Sequence, residues 1–193
     1  MKRIGLTGGI GTGKSTVAGL FHELGGIPII DADRIARQLR AQGGAAEDLL
    51  LKRFKTTDPA ALRELLTKDP DAKKDLEGIL HPLIQKNSEE AFKMAEKLHP
   101  NAPFLLYEAS LLIESGRAKD FEKVIVVTAP LSDRLSRIMS RDQVSRDSAL
   151  RMVDAQNPDS YRMKHADVIV ENCGSIDDLR SQVLKVLEQM KTS

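Results

Sequence analysis

Eight residues constrain this chain more than any others. Gly8-Gly9-Ile10-Gly11-Thr12-Gly13-Lys14-Ser15 fit the pattern G-x-x-x-x-G-K-[ST]. Successive backbone N–H groups converge on phosphate oxygens only where side chains do not intervene, and Gly9, Gly11 and Gly13 remove them. The strand-like run Arg3-Ile4-Gly5-Leu6-Thr7 precedes the loop, and a helical stretch from Lys14 to Leu24 follows it and stops at Gly25-Gly26. That is the context the pattern requires. The helix start adds unpaired N–H groups and a positive dipole end that favour a polyanion. Lys14 is placed to reach β- and γ-phosphates, and the Ser15 hydroxyl to ligate Mg²⁺. Opening a helix at a solvent-accessible anion site, Lys14 is expected to matter more to catalysis than to folding.

Four further apolar runs alternate with longer helical stretches, the pattern of an open α/β sheet. They are Ile27-Pro28-Ile29-Ile30, Phe104-Leu105-Leu106-Tyr107, Lys123-Val124-Ile125-Val126-Val127 and Val168-Ile169-Val170. Near-continuous apolar runs suit strands covered on both faces, and their polar ends place ligands at the carboxyl edge of the sheet. Between the second and third runs lie some 70 residues without a strand signal. They exceed one crossover helix and predict an inserted helical subdomain over 34–100, cut by Pro59, Pro70, Pro82 and Pro100 into short helices. A second helical segment, Ser132 to Lys164, separates strands four and five. The last helix, Ile176 to Met190, starts at Ser175 with Asp177 and Asp178 in its first turn.

Composition removes several partners. Lys plus Arg number 29 against 28 Asp plus Glu, so no charge excess draws the chain to duplex DNA or an anionic membrane. Trp is absent and aromatics make up 4%, which leaves no platform for stacked bases. No apolar run approaches the length of a spanning helix, and the single cysteine, Cys173, makes no disulfide framework. The chain is expected to be cytoplasmic. An anion must therefore be bound locally, by a few placed groups. The guanine-reading run Asn-Lys-x-Asp is absent, and the chain is too short for a second ATPase-like domain. A small-molecule kinase is the best class.

Asp31 and Asp33 close the second run, and in extended backbone residues two apart share a face. Both carboxylates could then address the phosphate loop, one toward Mg²⁺ and one toward an acceptor hydroxyl. Alternatively, Asp33 caps a helix beginning at Arg34. His81 precedes Pro82, which favours an extended or helix-boundary position over mid-helix. Arg134, Arg137 and Arg141, at i, i+3 and i+7, share one helix face. Arg141 and, second to it, Arg137 suit a transferring phosphoryl, whose equatorial charge a planar guanidinium matches; Arg134 is expected at the surface, like His22, His99 and His165. Glu108, at a strand end, either orients a substrate or pairs with a neighbouring arginine.

In order and spacing these blocks resemble the dephospho-CoA kinase family over nearly the whole chain. The matching residues are Thr7 to Thr16, Asp31-Ala32-Asp33 with Ile35-Ala36-Arg37, His81-Pro82-Leu83-Ile84 and Leu105-Leu106-Tyr107-Glu108. Arg137, Arg141-Asp142, Gln156, Ala166-Asp167 and Asn172-Cys173-Gly174-Ser175 continue the match. Thr12, Tyr107 and Phe104 stand where the family has Ser, Phe and Pro, the stretch from Phe54 to Ala61 is shortened, and Pro59 stands where an Arg is frequent.

The resemblance implies a five-stranded parallel sheet of the P-loop kinase type with an inserted helical substrate domain and a helical lid. The core would comprise residues 1–33, 101–131 and 165–193, the acceptor insert 34–100 and the lid 132–164. The implied reaction moves the γ-phosphoryl of ATP to the ribose 3′-hydroxyl of dephospho-CoA, the last step of coenzyme A synthesis. Phosphorylation of another nucleoside or sugar hydroxyl is the alternative, and a nucleotide-dependent binding switch a more distant one. Lys14, Asp33 and Arg141 are the implied catalytic residues. ATP would meet Gly9, Gly11, Thr12, Gly13, Lys14, Ser15, Thr16, Arg137 and Asn172. The acceptor would meet Asp33, Arg37, His81 and Glu108, and Mg²⁺ would meet Ser15 and Asp31.

Overall fold

A computed structural model describes residues 1–192. The five apolar runs become β1 (Lys2–Gly8), β2 (Ile29–Asp31), β3 (Phe104–Glu108), β4 (Lys123–Thr128) and β5 (Val168–Glu171). They lie in the order β2-β3-β1-β4-β5. β1 runs parallel to β3 and β4, and β4 parallel to β5. The second run is shorter than its sequence suggests. Pro28 has no N–H to give a ladder, although its carbonyl still accepts from Leu106 N at 3.0 Å.

The helices are α1 (Lys14–Gly25), α2 (Ala32–Arg40), α3 (Glu47–Phe54), α4 (Pro59–Lys68), α5 (Pro70–Leu98), α6 (Leu131–Asp142), α7 (Arg146–Asp154), α8 (Asp159–Met163) and α9 (Ile176–Thr192). By contacts the chain separates into two units, Met1–Ile30 with Ala95–Ser193, and Asp31–Met94.

The first unit holds the sheet. Side chains alternate across a strand, so Ile4, Leu6, Phe104, Leu106, Ile125 and Val127 share a core with Val17 and Phe21 of α1 and Val183 and Leu187 of α9. Phe21 meets Phe104 edge-on at 6.2 Å. On the opposite face a Cβ at Gly5 would lie 2.5 Å from Leu112 Cδ2 and 3.4 Å from the Phe121 ring, so that glycine admits both side chains. Tyr107 stacks on Phe121 at 5.0 Å, and its hydroxyl accepts from Arg117 Nη1 at 2.7 Å. The hydroxyl at this position thus has a partner, as a buried tyrosine needs. A smaller cluster of Leu135, Ile138 and Ala149 joins α6 to α7 and includes Ile10 of the glycine loop.

The second unit has its own core, built on Leu39, Ala46, Leu50, Phe54, Leu62, Ala72 and Leu80. Pro59 stands in the first turn of α4, where its missing N–H costs nothing, and Asp58 caps that helix through Ala61 N at 2.7 Å. Pro82 corrects the expected punctuation. It lies inside the 29-residue α5 rather than ending it, and His81 is accordingly mid-helix and exposed. Leu80 lies in this core, with Ile79, Leu83 and Ile84 packed against it, so burial on both sides of the proline outweighs its lost hydrogen bond.

Candidate active site

The strand order places a switch point between β1 and β3. The chain leaves β1 toward β2 on one side and leaves β3 toward β4 on the other, which opens a crevice at their carboxyl ends. Leu6 is in register with Glu108 there. The loop Gly8–Ser15 and the last residue of β3 therefore meet by topology.

At this point Lys14 Nζ lies 2.8 Å from Glu108 Oε1, and Ser15 Oγ donates to the same oxygen at 2.6 Å. Lys14 is only 9% exposed and Glu108 6%. The expectation of a solvent-accessible lysine is corrected: this is a buried ion pair beneath the loop. Glu108, expected to meet a substrate or an arginine, has Lys14 and Ser15 as its partners. A cavity of about 460 Å³ opens over them, lined by the loop, Ser110, Arg137, Arg141 and Gln156.

The loop is held by its carbonyl side. Arg137 Nη1 donates to Gly11 O at 3.1 Å and Thr12 O at 3.2 Å, while its Nη2 donates to Asn172 O at 3.3 Å. Asn172 Nδ2 donates to Thr12 O at 2.8 Å. In a trans peptide the carbonyl and the following N–H point oppositely, so these bonds aim Gly13 N–H away from Arg137 and Asn172. Gly13 has φ 86°, and a Cβ on it would stand 2.2 Å from Asn172 Nδ2. Only glycine serves here. Thr12 is fully buried, and its hydroxyl donates to Gly9 O at 2.9 Å, closing the turn.

Arg134 differs from its expected surface position. It is 6% exposed, donates from Nε to Ile10 O at 2.8 Å and pairs through Nη1 with Asp159 Oδ2 at 3.1 Å. The face it shares with Arg137 is turned toward the loop. Gln156 accepts from Ile10 N at 2.7 Å. Arg141 is exposed near the C-terminus of α6 and forms a two-pronged pair with Asp142, 2.7 Å on each side. The hydrogen bond from Arg141 holds the Asp142 carboxyl below its usual range.

The acidic pair does not share a strand face. Asp31 ends β2 and caps α2, accepting from Arg34 N at 2.8 Å, with Arg37 Nη2 3.7 Å from its other oxygen. Asp33 already lies in the first turn of that helix. The alternative of Asp33 as the cap is corrected as well, since the helix starts earlier than Arg34 and Asp31 fills that role. Arg37 and His81 are exposed on α2 and α5 of the second unit. His22, His99 and His165 are exposed, as is Cys173.

Among the described residues no three His, Cys, Asp or Glu side chains gather as a metal cage. Mg²⁺ does not need one, because it keeps several waters and takes one or two protein oxygens beside phosphate. The hard oxygens of Ser15 and Glu108, 2.6 Å apart, fit that requirement. No described helix is long and apolar enough to cross a membrane.

A family model described as dephospho-CoA kinase matches residues 2–178. A dephospho-CoA kinase from Coxiella burnetii is 37% identical, the match covering 96% of this chain and 95% of that protein. Among solved structures, TT1252 from Thermus thermophilus superposes with a TM-score of 0.82 at 33% identity, with 97% of each chain covered. The dephospho-CoA kinase from Campylobacter jejuni gives 0.70 at 31% identity, over 100% of this chain and 98% of its own.

Proposed function

The chain belongs to the dephospho-CoA kinase family, and on that premise we propose that it transfers the γ-phosphoryl of ATP to the ribose 3′-hydroxyl of dephospho-CoA. That reaction closes coenzyme A synthesis. The observation that carries it is the meeting of Lys14, Ser15 and Glu108 at the β1–β3 switch point, under a loop whose carbonyls Arg137 and Asn172 hold. Incubation with ATP, Mg²⁺ and dephospho-CoA is expected to release ADP and to add one phosphate to the acceptor, measured by mass spectrometry. Inert dephospho-CoA beside an active nucleoside or sugar acceptor would sink the assignment.

Phosphoryl transfer asks for position and charge more than covalent chemistry, because the transition state is loose and its charge lies on the equatorial oxygens. Gly9, Gly11, Thr12, Gly13 and Thr16 form the cradle, and Lys14 supplies positive charge to the β- and γ-phosphates. Lys14 is shared with Glu108, which fixes its rotamer before nucleotide arrives. Arg141 exchanges Asp142 for the transferring group, a change of partner that its exposed position permits. Asp33 orients the acceptor hydroxyl, and Arg37 and His81 contribute to acceptor binding. Ser15 and a carboxylate, Asp31 or Glu108, would hold Mg²⁺, whose charge would offset that of the phosphates. Residues 34–100 carry acceptor recognition and residues 132–164 close over ATP, excluding water. The protein acts in the cytoplasm, on small molecules rather than nucleic acid or membrane.

Gly13→Ala is expected to weaken binding of a nonhydrolysable ATP analogue about tenfold or more, since left-handed backbone with a Cβ costs about 1–2 kcal/mol before the clash with Asn172 is added. Calorimetric titration measures it. Affinity equal to wild type in a folded Gly13→Ala variant would show that the loop relaxes freely.

A further inference from the structure

We propose that Arg162, remote from the phosphates, is a positioning residue for nucleotide binding, acting through Asp159 and Arg134 on the tip of the glycine loop. The proposal rests on the kinase function above and adds to it a residue that touches neither substrate.

Arg162 is fully buried although it lies on the five-residue α8. Its Nη2 is 2.5 Å from Glu114 Oε1, in the segment after β3, and its Nη1 is 3.5 Å from Asp159 Oδ1. Nη1 also donates to Asn157 O at 2.8 Å. Asp159 continues the chain of charge to Arg134 Nη1 at 3.1 Å, and Arg134 Nε ends it on Ile10 O at 2.8 Å. Two cations and two carboxylates thus run from the post-β3 segment to one backbone carbonyl of the phosphate loop.

Stability alone explains this row poorly. Glu114 Oε1, Asp159 Oδ1 and Arg162 Nη2 make their ion pairs without hydrogen-bond alignment, and the buried Glu114 Oε2 and Arg162 Nε have no hydrogen-bond partner. A buried ionic group in that condition stabilises less than apolar packing of the same volume. What the row does supply is a fixed place for the loop. A Cβ at Gly9 would stand 2.7 Å from Arg134 Nη2 and 3.1 Å from Asp159 Oδ1, so the pair lies directly against the loop backbone. Ile10 is held at its carbonyl by Arg134, at its N–H by Gln156 and at its side chain by the α6–α7 cluster. With both backbone groups of Ile10 engaged, the tip cannot turn a carbonyl toward an incoming phosphate. Loop order is then present before binding and need not be drawn from binding energy.

The decisive variants are Asp159→Asn, Arg162→Met and Arg162→Lys, with Leu187→Ala as a core control at the far end of α1, where Leu187 packs against Gly25. The readouts are melting temperature, calorimetric affinity for a nonhydrolysable ATP analogue, and KM for each substrate. Asp159→Asn removes the negative charge from both links and leaves an acceptor oxygen for only one of them, at a side chain that is 22% exposed, and so is the variant most able to fold. It is expected to weaken analogue binding and raise KM for ATP about tenfold, with KM for dephospho-CoA moved less than about twofold. Arg162→Met should do the same where it folds, and Arg162→Lys should recover part of the loss because the charge is kept and the fork is not. Leu187→Ala should lower the melting temperature and leave analogue affinity alone.

A folded Asp159→Asn with wild-type analogue affinity would overturn the proposal. So would a Leu187→Ala variant that loses affinity in equal measure for the same drop in melting temperature. If wild-type protein fails to phosphorylate dephospho-CoA while Asp159→Asn still loses analogue affinity, the acceptor assignment falls and the positioning role stands.

Discussion

Lys14→Ala is expected to lower kcat by at least about 10³-fold, because a charge aimed at the developing phosphoryl charge is worth that much in a water-poor site. The same change is expected to lower folding stability by about 3 kcal/mol, since removing one partner of a buried pair strands the other. The second effect comes from Glu108, which is 6% exposed and has Lys14 Nζ at 2.8 Å. The two effects separate in a double variant. Glu108→Gln placed on Lys14→Ala removes the stranded charge, so chemical denaturation should show a large part of the stability returning while kcat stays low. Stability unchanged by Lys14→Ala alone would show that water reaches Glu108, and a kcat restored by Glu108→Gln would remove Lys14 from the chemistry.

Most of the sheet was legible because its strands are short apolar runs with polar ends, a pattern that burial on both faces imposes. The glycine loop was legible for a different reason: phosphate binding forbids side chains at fixed positions, so the constraint is written residue by residue. What escaped was set by partners distant in sequence. Arg134 has the composition of a surface residue, and only Asp159 and the Ile10 carbonyl make it a buried one. Arg162 carried no local signal either, because its counter-charge Glu114 lies 48 positions away in another connection. Pro82 misled in the opposite direction. Its local rule was sound, but packing of Ile79, Leu80, Leu83 and Ile84 over that turn decides the helix. The short acidic block shows the same limit at smaller scale. A strand face for Asp31 and Asp33 required extended backbone through Ala32, and the helix begins at that residue.

That helix start also gives the two carboxylates different places, one at the cap and one in the first turn. Asp31 accepts from Arg34 N and faces Arg37, so it is committed to beginning α2. Asp33 stands two residues on, in the first turn of α2, where an acid gains about 0.3–1 kcal/mol from the helix dipole. We propose Asp33 as the group that orients the acceptor hydroxyl. In a loose transfer that proton leaves late, and the carboxylate acts first by holding the nucleophile in line. Asp33→Asn is therefore expected to lower kcat by about 10²–10⁴-fold with ATP affinity near wild type and stability changed by less than about 1 kcal/mol. Asp31→Asn keeps a good cap, as Asn serves nearly as well as Asp, so its effect is expected on Mg²⁺ dependence, with stability near wild type. Asp31→Ala, by contrast, should lose about 1 kcal/mol of stability. Measuring kcat at saturating Mg²⁺, analogue affinity and urea denaturation for the three variants distinguishes the roles. Near-full kcat in Asp33→Asn would leave Asp33 a structural role, and the acceptor hydroxyl would then need another carboxylate.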